Sequence, residues 1–376
     1  MDRRKDVREI VELSPVKKKK AWKKVLVSVL AVVLFLVFAL VVCVMLYIHS
    51  IGINYVKPDN TQETISGDDA LYDDLNDDEK NEYHSIITAI RDDSSLSSQL
   101  YDWYSNGGDH LSSSNVINIL IIGVDSRSGE IEGNSDVMML ASVNKKQKSI
   151  TLCSFLRDSY TYFERSDGAG YYSKLNAAFS YGGGECLVSA IENNYKIDID
   201  YFVAVDFSSF AKIIDTIGGV NLDVEQFEAE AIEDYGKITG VPYGENVLLS
   251  GEQALLFARM RSIYASGDVQ RTQNQRKVIN AIIKKTKTLS IGELNNVVQT
   301  LGEYVYTDCP TTKIVSLGSS AILGKWYNYQ VYSMEAPPES ARKAYNGSTW
   351  MWLVDYPYSA QYVQKHIYGE TNIVIQ

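Results

Sequence analysis

Residues 25–48 form one uninterrupted apolar stretch in which Ser28 is the only polar side chain. At a rise of about 1.5 Å per residue, a helix of this length spans the roughly 30 Å hydrocarbon core of a bilayer. Six lysines lie between residues 17 and 24, and no basic cluster follows the stretch. The positive-inside rule therefore predicts a signal anchor at 25–48, with residues 1–24 as a cytoplasmic basic tail and the rest of the chain outside. A cleaved signal peptide is the alternative, but its apolar region would be shorter and would end at small residues.

The charge of the chain changes sign across this stretch. Residues 1–24 carry ten basic and four acidic side chains, whereas the remaining residues carry 26 basic and 43 acidic ones. This division excludes a uniformly acidic soluble protein, and it disfavours a nucleic-acid binder, whose basic patch would lie on the folded domain. Cys153, Cys186 and Cys309 are an odd number of external thiols. We therefore expect buried thiols, with a Cys153–Cys186 bridge as the alternative.

The part of the chain after residue 48 has two regions that differ in composition and hydrophobic pattern. Residues 49–114 are rich in Asp, Asn and Ser and predict an acidic stalk with helices near 79–90 and 96–104. The acidic run lacks the ligand spacing of an EF-hand, which disfavours a calcium loop. From residue 115 onward, apolar runs alternate with helical patterns, which predicts one α/β domain over 115–376 with a mixed central β-sheet flanked by helices.

The expected elements of this domain can be placed along the chain. Strands are predicted at Val116–Val124, 137–143, 149–156, 201–207 and 220–224, with a polar turn at 144–148. Helices are predicted from the glycine triplet 182–184 to residue 195, at 208–217, after the Ser250-Gly251-Glu252-Gln253 capping box, and at 271–289.

Two aspartates stand at the ends of predicted strands. Asp125 follows the first strand, and Asp136 precedes the second. If these strands are neighbours, both carboxylates lie at one edge of the sheet, where α/β folds place their ligands. Two carboxylates with room for water and phosphate oxygens suit magnesium, although each aspartate would serve equally well as the cap of a turn.

Basic side chains gather at the ends of elements as well. Five arginines have this placement: Arg127, Arg157, Arg259, Arg261 and Arg271. Arg259 and Arg261 share a face if their segment is extended. Arg271 and Gln275 are four residues apart at a helix start, where they point together and free backbone N–H groups attract anions. Because a guanidinium matches phosphate geometry, the pattern favours a phosphate site, with surface ion pairing as the alternative.

Signatures of other chemistries are missing from the sequence. There is no Gly-x-Ser-x-Gly elbow, no P-loop and no pair of histidines at helical spacing. Covalent catalysis by Ser or Cys therefore has no support.

Eight motifs follow one another over residues 116–290. They are NILIIGVDSR at 118–127, SDVMM at 135–139, SFLRD at 154–158, KLNAAFSYGG at 174–183, GGV at 218–220, LSGEQAL at 249–255, RMR at 259–261 and DVQR at 268–271. In this set and this order, the chain closely resembles the LytR-CpsA-Psr family. The single signal anchor before the motifs also fits that family.

The resemblance implies an extracellular phosphotransferase of Gram-positive bacteria that depends on magnesium or manganese. Such an enzyme takes a glycopolymer from an undecaprenyl pyrophosphate carrier and joins it, through a phosphodiester, to the muramic acid 6-hydroxyl of peptidoglycan. Its partners would be the lipid-linked donor, the peptidoglycan acceptor and the membrane, with no nucleic acid. An apolar cleft between sheet and helices would receive the prenyl tail.

The resemblance also implies roles for residues at the matching positions of this sequence. The metal would be held by Asp125 and Asp136. The pyrophosphate would be bound by Arg127, Arg157, Lys174, Arg259, Arg261, Arg271 and Gln275. The catalytic set would be Asp125, Arg157, Asp158 and Arg261. In that set, Asp158 would either take the proton of the attacking hydroxyl or pair with an arginine, and we favour pairing.

Three positions depart from the family pattern. Asn134 and Asn274 stand where arginines are common, and Leu156 stands where a proline is usual. The two lost charges bear on affinity and substrate more than on the type of reaction.

Two other functions would use the same residues or the same location. A polyprenyl-pyrophosphate hydrolase needs the same site, with water in place of the peptidoglycan hydroxyl. A non-catalytic regulator of the cell envelope is disfavoured because both aspartates of the metal site are present. The short cytoplasmic part carries no DNA-binding motif, which argues against a transcription factor.

Overall fold

A computed structural model describes residues 54–55, 94–124, 133–264, 268–286, 288–289, 305–345 and 350–374. The predicted tail and anchor at 1–48, the helix expected near 79–90, and both Asp125 and Arg127 lie outside these residues. Within them, no helix combines the length and the apolar character that crossing a membrane requires.

The described elements are thirteen strands and eight α-helices. The strands are β1 (Asn54–Tyr55), β2 (Val116–Val124), β3 (Ser135–Asn144), β4 (Ser149–Phe155), β5 (Tyr160–Glu164), β6 (Gly170–Lys174), β7 (Tyr201–Asp206), β8 (Val220–Val224), β9 (Gly244–Leu249), β10 (Tyr306–Thr307), β11 (Gln330–Ala336), β12 (Arg342–Tyr345) and β13 (Met351–Val354). The helices are α1 (Ser94–Asn106), α2 (Ala177–Tyr195), α3 (Phe207–Thr216), α4 (Gln226–Gly236), α5 (Gly251–Arg259), α6 (Asp268–Thr286), α7 (Thr311–Leu323) and α8 (Tyr356–Tyr368).

Seven strands form the central mixed sheet, in the order β1-β10-β7-β2-β3-β4-β11. The β2–β3–β4 part is antiparallel, whereas β7 runs parallel to β2 and β11 runs parallel to β4. The predicted turn between β3 and β4 is confirmed, and the Asn144 side chain accepts the Lys146 and Gln147 N–H groups there. The predicted strands of the sheet are confirmed to within two residues at either end.

One face of the sheet is fully covered. Leu120 and Ile122 on β2 and Leu140 on β3 are buried against α2 and α8, which pack on each other. The predicted start of α2 after residues 182–184 is wrong, because the helix begins at Ala177 and is interrupted at Gly182 and Gly183. Gly183 has φ +65°, a backbone conformation that glycine adopts without steric penalty.

The opposite face is only partly covered. Helices α3, α5 and α6 lie on this side together with α4 and the β8–β9 hairpin, which have an apolar core of their own. Ile279 and Ile283 of α6 reach the sheet, but Ile121 and Val137 remain half-buried. The predicted capping box is confirmed, since Ser250 and Gln253 cap α5 reciprocally. Helix α6 begins at Asp268, three residues before the predicted start.

Helix α1 belongs to this folded unit, although the sequence assigned it to the stalk. Leu100 and Tyr104 are buried in the core beneath α2. The predicted boundary at residue 114 thus lies within the packed structure, because the helix has an apolar face inside a polar-looking segment. The hairpins β5–β6 and β12–β13 and helices α4, α7 and α8 were not predicted. Cys153, Cys186 and Cys309 are buried free thiols, as expected.

Lys196 joins three parts of this core. Its ammonium, on a side chain 2% exposed, donates to the Tyr104 carbonyl of α1 at 2.9 Å. Its own carbonyl accepts hydrogen bonds from Leu111 and from Gln364 of α8. Burial lowers the pKa of Lys196 to about 8.

We predict that Lys196 makes stability rise with pH. Between about pH 8 and the unfolded lysine value of about 10.4, the unfolded chain binds more protons than the folded one. The free energy of unfolding should therefore rise by up to about 1.4 kcal/mol per pH unit. Urea unfolding at pH 7.5, 8.5 and 9.5 should show this rise in the wild type and in Lys146→Met, an exposed control. Lys196→Met should lack it, and an unchanged rise would contradict the assignment.

Candidate anion site beside an apolar cavity

Three chain segments meet where β3 begins and β4 ends. The Ser135 N–H, at the start of β3, donates to the Asn176 carbonyl, and the Asn176 N–H donates to the Arg157 carbonyl just after β4. Lys174 is the last residue of β6, two residues before Asn176. These backbone bonds bring Asp136, Arg157, Asp158 and Lys174 together.

A buried ion cluster results from this meeting. The Arg157 guanidinium is hydrogen-bonded to the Asp136 carboxylate, and its Nε lies 3.5 Å from Asp158 Oδ2. The Lys174 ammonium donates to Asp158 Oδ1 at 2.7 Å. Asp158 is 5% exposed. One buried carboxylate therefore holds two cations in place, which is the paired role favoured for Asp158 from the sequence.

The charge of Asp158 is fixed by its neighbours. Burial alone would raise the pKa of the Asp158 carboxyl, but Lys174, Arg157 and Arg271 together hold this pKa below its ordinary value. The carboxylate is thus ionised at neutral pH and is a weak proton acceptor. Its surroundings suit an anchor for cations better than a general base.

Helix α6 adds a third cation. Arg271 stands at the end of its first turn, is 6% exposed, and acts electrostatically on Asp158. Gln275 is one turn further along and is buried as well. The structure therefore gathers five of the predicted site residues around one point: Asp136, Arg157, Asp158, Lys174 and Arg271.

An apolar cavity of about 50 Å³ lies between the sheet and helices α3, α5 and α6. Gly123 and Val137, which are paired across β2 and β3, line it next to Asp136. A Cβ at Gly123 would lie 2.9 Å from the Val137 side chain, so only glycine lets the strands approach here. Gln275 and Arg259 also line the cavity.

Two further arginines of the predicted site lie at the end of α5 and just after it. Arg259 is the last residue of the helix, and its guanidinium lies over the Phe207 ring at 4.3 Å. Met260, with φ −58° and ψ 128°, has left the helical conformation. The Arg261 side chain is exposed and makes no hydrogen bond or ion pair within the described ranges. Arg261 is thus not part of the buried cluster.

A buried hydrogen-bond network that the sequence did not reveal anchors this arginine segment. The Asn274 amide of α6, fully buried, donates to the Tyr264 hydroxyl at 3.0 Å. The Tyr264 hydroxyl donates in turn to Glu228 of α4 at 2.5 Å. Burial and the Glu228 carboxylate raise the pKa of Tyr264, so the hydroxyl stays protonated. Asn274, one of the departures from the family pattern, therefore binds the chain after Arg261 to α6.

Of the two predicted metal ligands, Asp136 is the one that lies in the described ranges. Across the part of the chain that the structure describes, no three carboxylate, imidazole or thiol groups converge. Asp136 offers one carboxylate whose side chain is 22% exposed. Magnesium commonly takes one or two carboxylates and completes its shell with water and phosphate. Asp136 fits such a site, and does not fit a closed protein-only one.

These features define a class of protein. An α/β domain with a central mixed sheet has an apolar cavity lined in part by Arg259 and Gln275, and it gathers three cations around Asp158. A model of the LytR_cpsA_psr family matches residues 72–365, most of the chain. The chain belongs to this family, which confirms the resemblance seen in its motifs.

Individual relatives agree with the family. The chain is 34% identical over 199 residues to the polyisoprenyl-teichoic acid–peptidoglycan teichoic acid transferase TagU of Halalkalibacterium halodurans, with 53% of this chain and 62% of that protein covered. The chain thus spans less than two thirds of this relative. Protein gbs0355 of Streptococcus agalactiae has a similar fold, with a TM-score of 0.60, 23% identity and coverage of 69% and 91%.

A further solved structure shares the fold. It is the family protein YwtF (TagT) with bound octaprenyl pyrophosphate lipid, with a TM-score of 0.51, 23% identity and coverage of 68% of this chain and 90% of that one.

We predict that Asp158→Asn destabilises the protein by about 3 kcal/mol at pH 7, because Lys174 loses the carboxylate it is paired with and Arg157, of its contacts with Asp136 and Asp158, keeps only the one with Asp136. A carboxylate with a lowered folded pKa stabilises above its unfolded pKa of about 3.9, and this contribution is lost as the pH falls through the folded value. The difference from wild type should therefore shrink below about pH 4. Urea unfolding measures both effects. Asp234→Asn, at an exposed position, should change stability by less than about 0.5 kcal/mol.

We predict that Asn274→Ala loosens the arginine segment. It leaves the buried Tyr264 and Phe257 acceptors without a donor, at a cost of about 1–3 kcal/mol. Trypsin should then cleave after Arg261 faster than in the wild type, whereas Gln273→Ala, an exposed neighbour, should leave the rate unchanged. Equal cleavage rates in the three proteins would show that Asn274 does not hold the segment.

Proposed function

We propose that the protein is a phosphotransferase that moves a glycopolymer from a polyprenyl pyrophosphate carrier to peptidoglycan, at the muramic acid 6-hydroxyl. The observation that carries this proposal is that Arg259 and Gln275 line the apolar cavity, while Val137 of its lining directly follows Asp136 of the ion cluster in the chain. A pyrophosphate needs cations with forked or point-charge donors, and its prenyl chain needs an apolar surface next to them. TagU, the curated relative, is named for this kind of transfer.

The cations would bind and polarise the pyrophosphate. Arg157, Lys174 and Arg271 are already held in place by Asp158, so their orientation need not be acquired when the substrate binds. The groups that bind the pyrophosphate would also include Arg127, Arg259, Arg261 and Gln275. Such positioned charges stabilise the negative charge that grows on the leaving polyprenyl phosphate.

The reaction exchanges one phosphorus–oxygen bond for another. The peptidoglycan hydroxyl oxygen bonds to the phosphorus on the glycan side, and the bond from that phosphorus to the bridging oxygen breaks. The polyprenyl phosphate leaves with the bridging oxygen, and the hydroxyl proton is released. The lowered pKa of Asp158 supports a positioning role for this carboxylate, with the proton passing to solvent or to the leaving phosphate.

Asp125 and Asp136 would hold a magnesium or manganese ion. When bound, the ion would neutralise charge on the pyrophosphate oxygens. The open side of Asp136 and its contact with Arg157 support this assignment, because both place the carboxylate beside the phosphate-binding cations.

The prenyl tail would enter along the partly covered face of the sheet. A cavity of about 50 Å³ has room for only a few water molecules, so lipid binding requires α3 and α5 to move away from the strands. Half-buried Ile117, Ile121 and Val203 provide more apolar surface along this path. The signal anchor predicted at 25–48 would hold the domain on the external membrane surface, where the carrier lipid lies.

We predict that Asp125→Ala and Arg261→Ala each abolish transfer of a lipid-linked sugar to peptidoglycan in vitro with magnesium present. Removal of groups that stabilise transition-state charge commonly lowers rates by about 10²–10³-fold. Asp234→Ala and Lys313→Ala remove exposed charges elsewhere and should retain activity. Full transfer by both site variants would refute the assignment.

The same assay separates transfer from hydrolysis. With peptidoglycan, the glycan should appear on the acceptor. Without it, polyprenyl phosphate should not accumulate. Release of polyprenyl phosphate at equal rates in both conditions would identify a hydrolase instead.

A further inference from the structure

A second, larger cleft lies on the other side of α6. It has a volume of about 880 Å³ and is formed by α6, the β8–β9 hairpin and the start of β11. Lys277, Lys284 and Lys285 of α6 line one wall. This volume is within the range of pockets that bind ligands in proteins. None of the residues assigned to the pyrophosphate or the metal that the structure describes lines it.

The position of the cleft follows from the geometry of α6. Gln275 and Ile279 line the apolar cavity, whereas Lys277, Ala281 and Lys284 line the cleft on a different face of the helix. At about 1.5 Å per residue, Lys277 lies about 9 Å and Lys285 about 21 Å beyond Arg271 along the helix axis. The cleft therefore leads away from the cation cluster and is separate from it.

The lysines of the cleft are not neutralised by carboxylates in the described part of the chain, although the Lys277 ammonium lies over the Phe257 ring at 5.6 Å. Lys277, Lys284 and Lys285 form no ion pair with any carboxylate in the described ranges. The lining contains one carboxylate, Asp223, which accepts a hydrogen bond from the Asn246 N–H. Residues 25–376 carry 26 basic and 43 acidic side chains, so a positive cleft contrasts with the charge of the chain as a whole. Such a concentration of one charge attracts anions.

The other side chains of the lining are suited to sugars. Asn221, Asn246, Asn280 and Gln330 present amides, each able to donate and accept hydrogen bonds. Tyr329 adds an aromatic ring to the floor, with Val331 beside it. Amides bind hydroxyl groups, an aromatic face packs on the C–H side of a sugar ring, and lysines bind phosphates or carboxylates.

We propose that this lysine cleft binds a segment of an anionic glycan, a chain of hydroxyl-bearing units with phosphate or carboxylate groups. Two cell-wall sources share that chemistry: the polymer of the lipid-linked donor, and a peptidoglycan strand. A cleft of about 880 Å³ lined by three lysines and four side-chain amides suits a chain of several units better than a single sugar. This binding does not depend on the transfer reaction, so it stands or fails separately from the proposed function.

The test is equilibrium binding to the full chain purified in detergent. The probes are poly(glycerol phosphate), a soluble muramoyl-peptide fragment of peptidoglycan, and a neutral glucan. Lys277→Gln/Lys284→Gln removes two charges of the cleft, and Lys343→Gln/Lys365→Gln removes two exposed charges on β12 and α8 that do not line it. We expect at least one anionic probe to bind, with roughly tenfold weaker affinity for the cleft variant and unchanged affinity for the control.

The outcomes separate the alternatives. Loss confined to poly(glycerol phosphate) identifies the donor polymer, and loss confined to the muramoyl fragment identifies the acceptor. Added salt should weaken binding further, because exposed charges are screened. The proposal is overturned if neither anionic probe binds, if the glucan binds equally well, or if both variants lose the same affinity. Transfer from a short lipid-linked disaccharide should be unchanged in the cleft variant, which separates this site from the catalytic one.

Discussion

The structure depends on one buried carboxylate. Asp158 is only 5% exposed, yet it is ionised because Lys174 and Arg157 contact it directly and Arg271 acts on it from α6. A buried charge is tolerated only when it is paired and hydrogen-bonded, so these cations cannot leave without a large loss of stability. The ends of β4 and β6 and the start of α6 are thereby fixed to one another. The ion pairs of Asp158 that stabilise the fold also hold the cations in the positions that an anion would need.

The two faces of the sheet are covered to different extents. On one face, Leu120 and Leu140 are sealed by α2 and α8, and Lys196 locks α1 onto the same core. On the other, α3, α5 and α6 share a core with α4 and the β8–β9 hairpin, and only part of that group reaches the strands. Helices that pack mainly on one another can move relative to a sheet at a lower free-energy cost than helices that bury their apolar side chains against the sheet. Apolar surface beside the cations is thus available without unfolding.

Local patterns predicted much of the scaffold and less of the site. The nine-residue apolar run predicts both ends of strand β2, because such a run is typical of a buried strand. The capping box predicts the start of α5, because it depends on four neighbouring residues. The sequence places α1 in a stalk because apolar residues are sparse in that segment. It places the start of α2 after residues 182–184 because glycines usually interrupt helices, whereas the helix continues through them with a kink. The motifs identified the residues of the anion site. They gave no sign that Asn274 would hold Tyr264, because that contact joins two elements.

The sequence by itself determined the family, the α/β class, the expected anchor and the set of charged residues, because each depends on residue type, order or spacing along the chain. The tertiary structure decided which charges meet. Asp136, Arg157, Asp158 and Lys174 come from segments up to 38 residues apart, and Arg271 is about 100 residues further on, so only strand pairing and helix packing could bring them together. It also decided that Lys277 and Lys284 line a cleft of their own, since the wall opposite them belongs to another part of the chain. Distances between elements are set by packing, which sequence spacing does not encode.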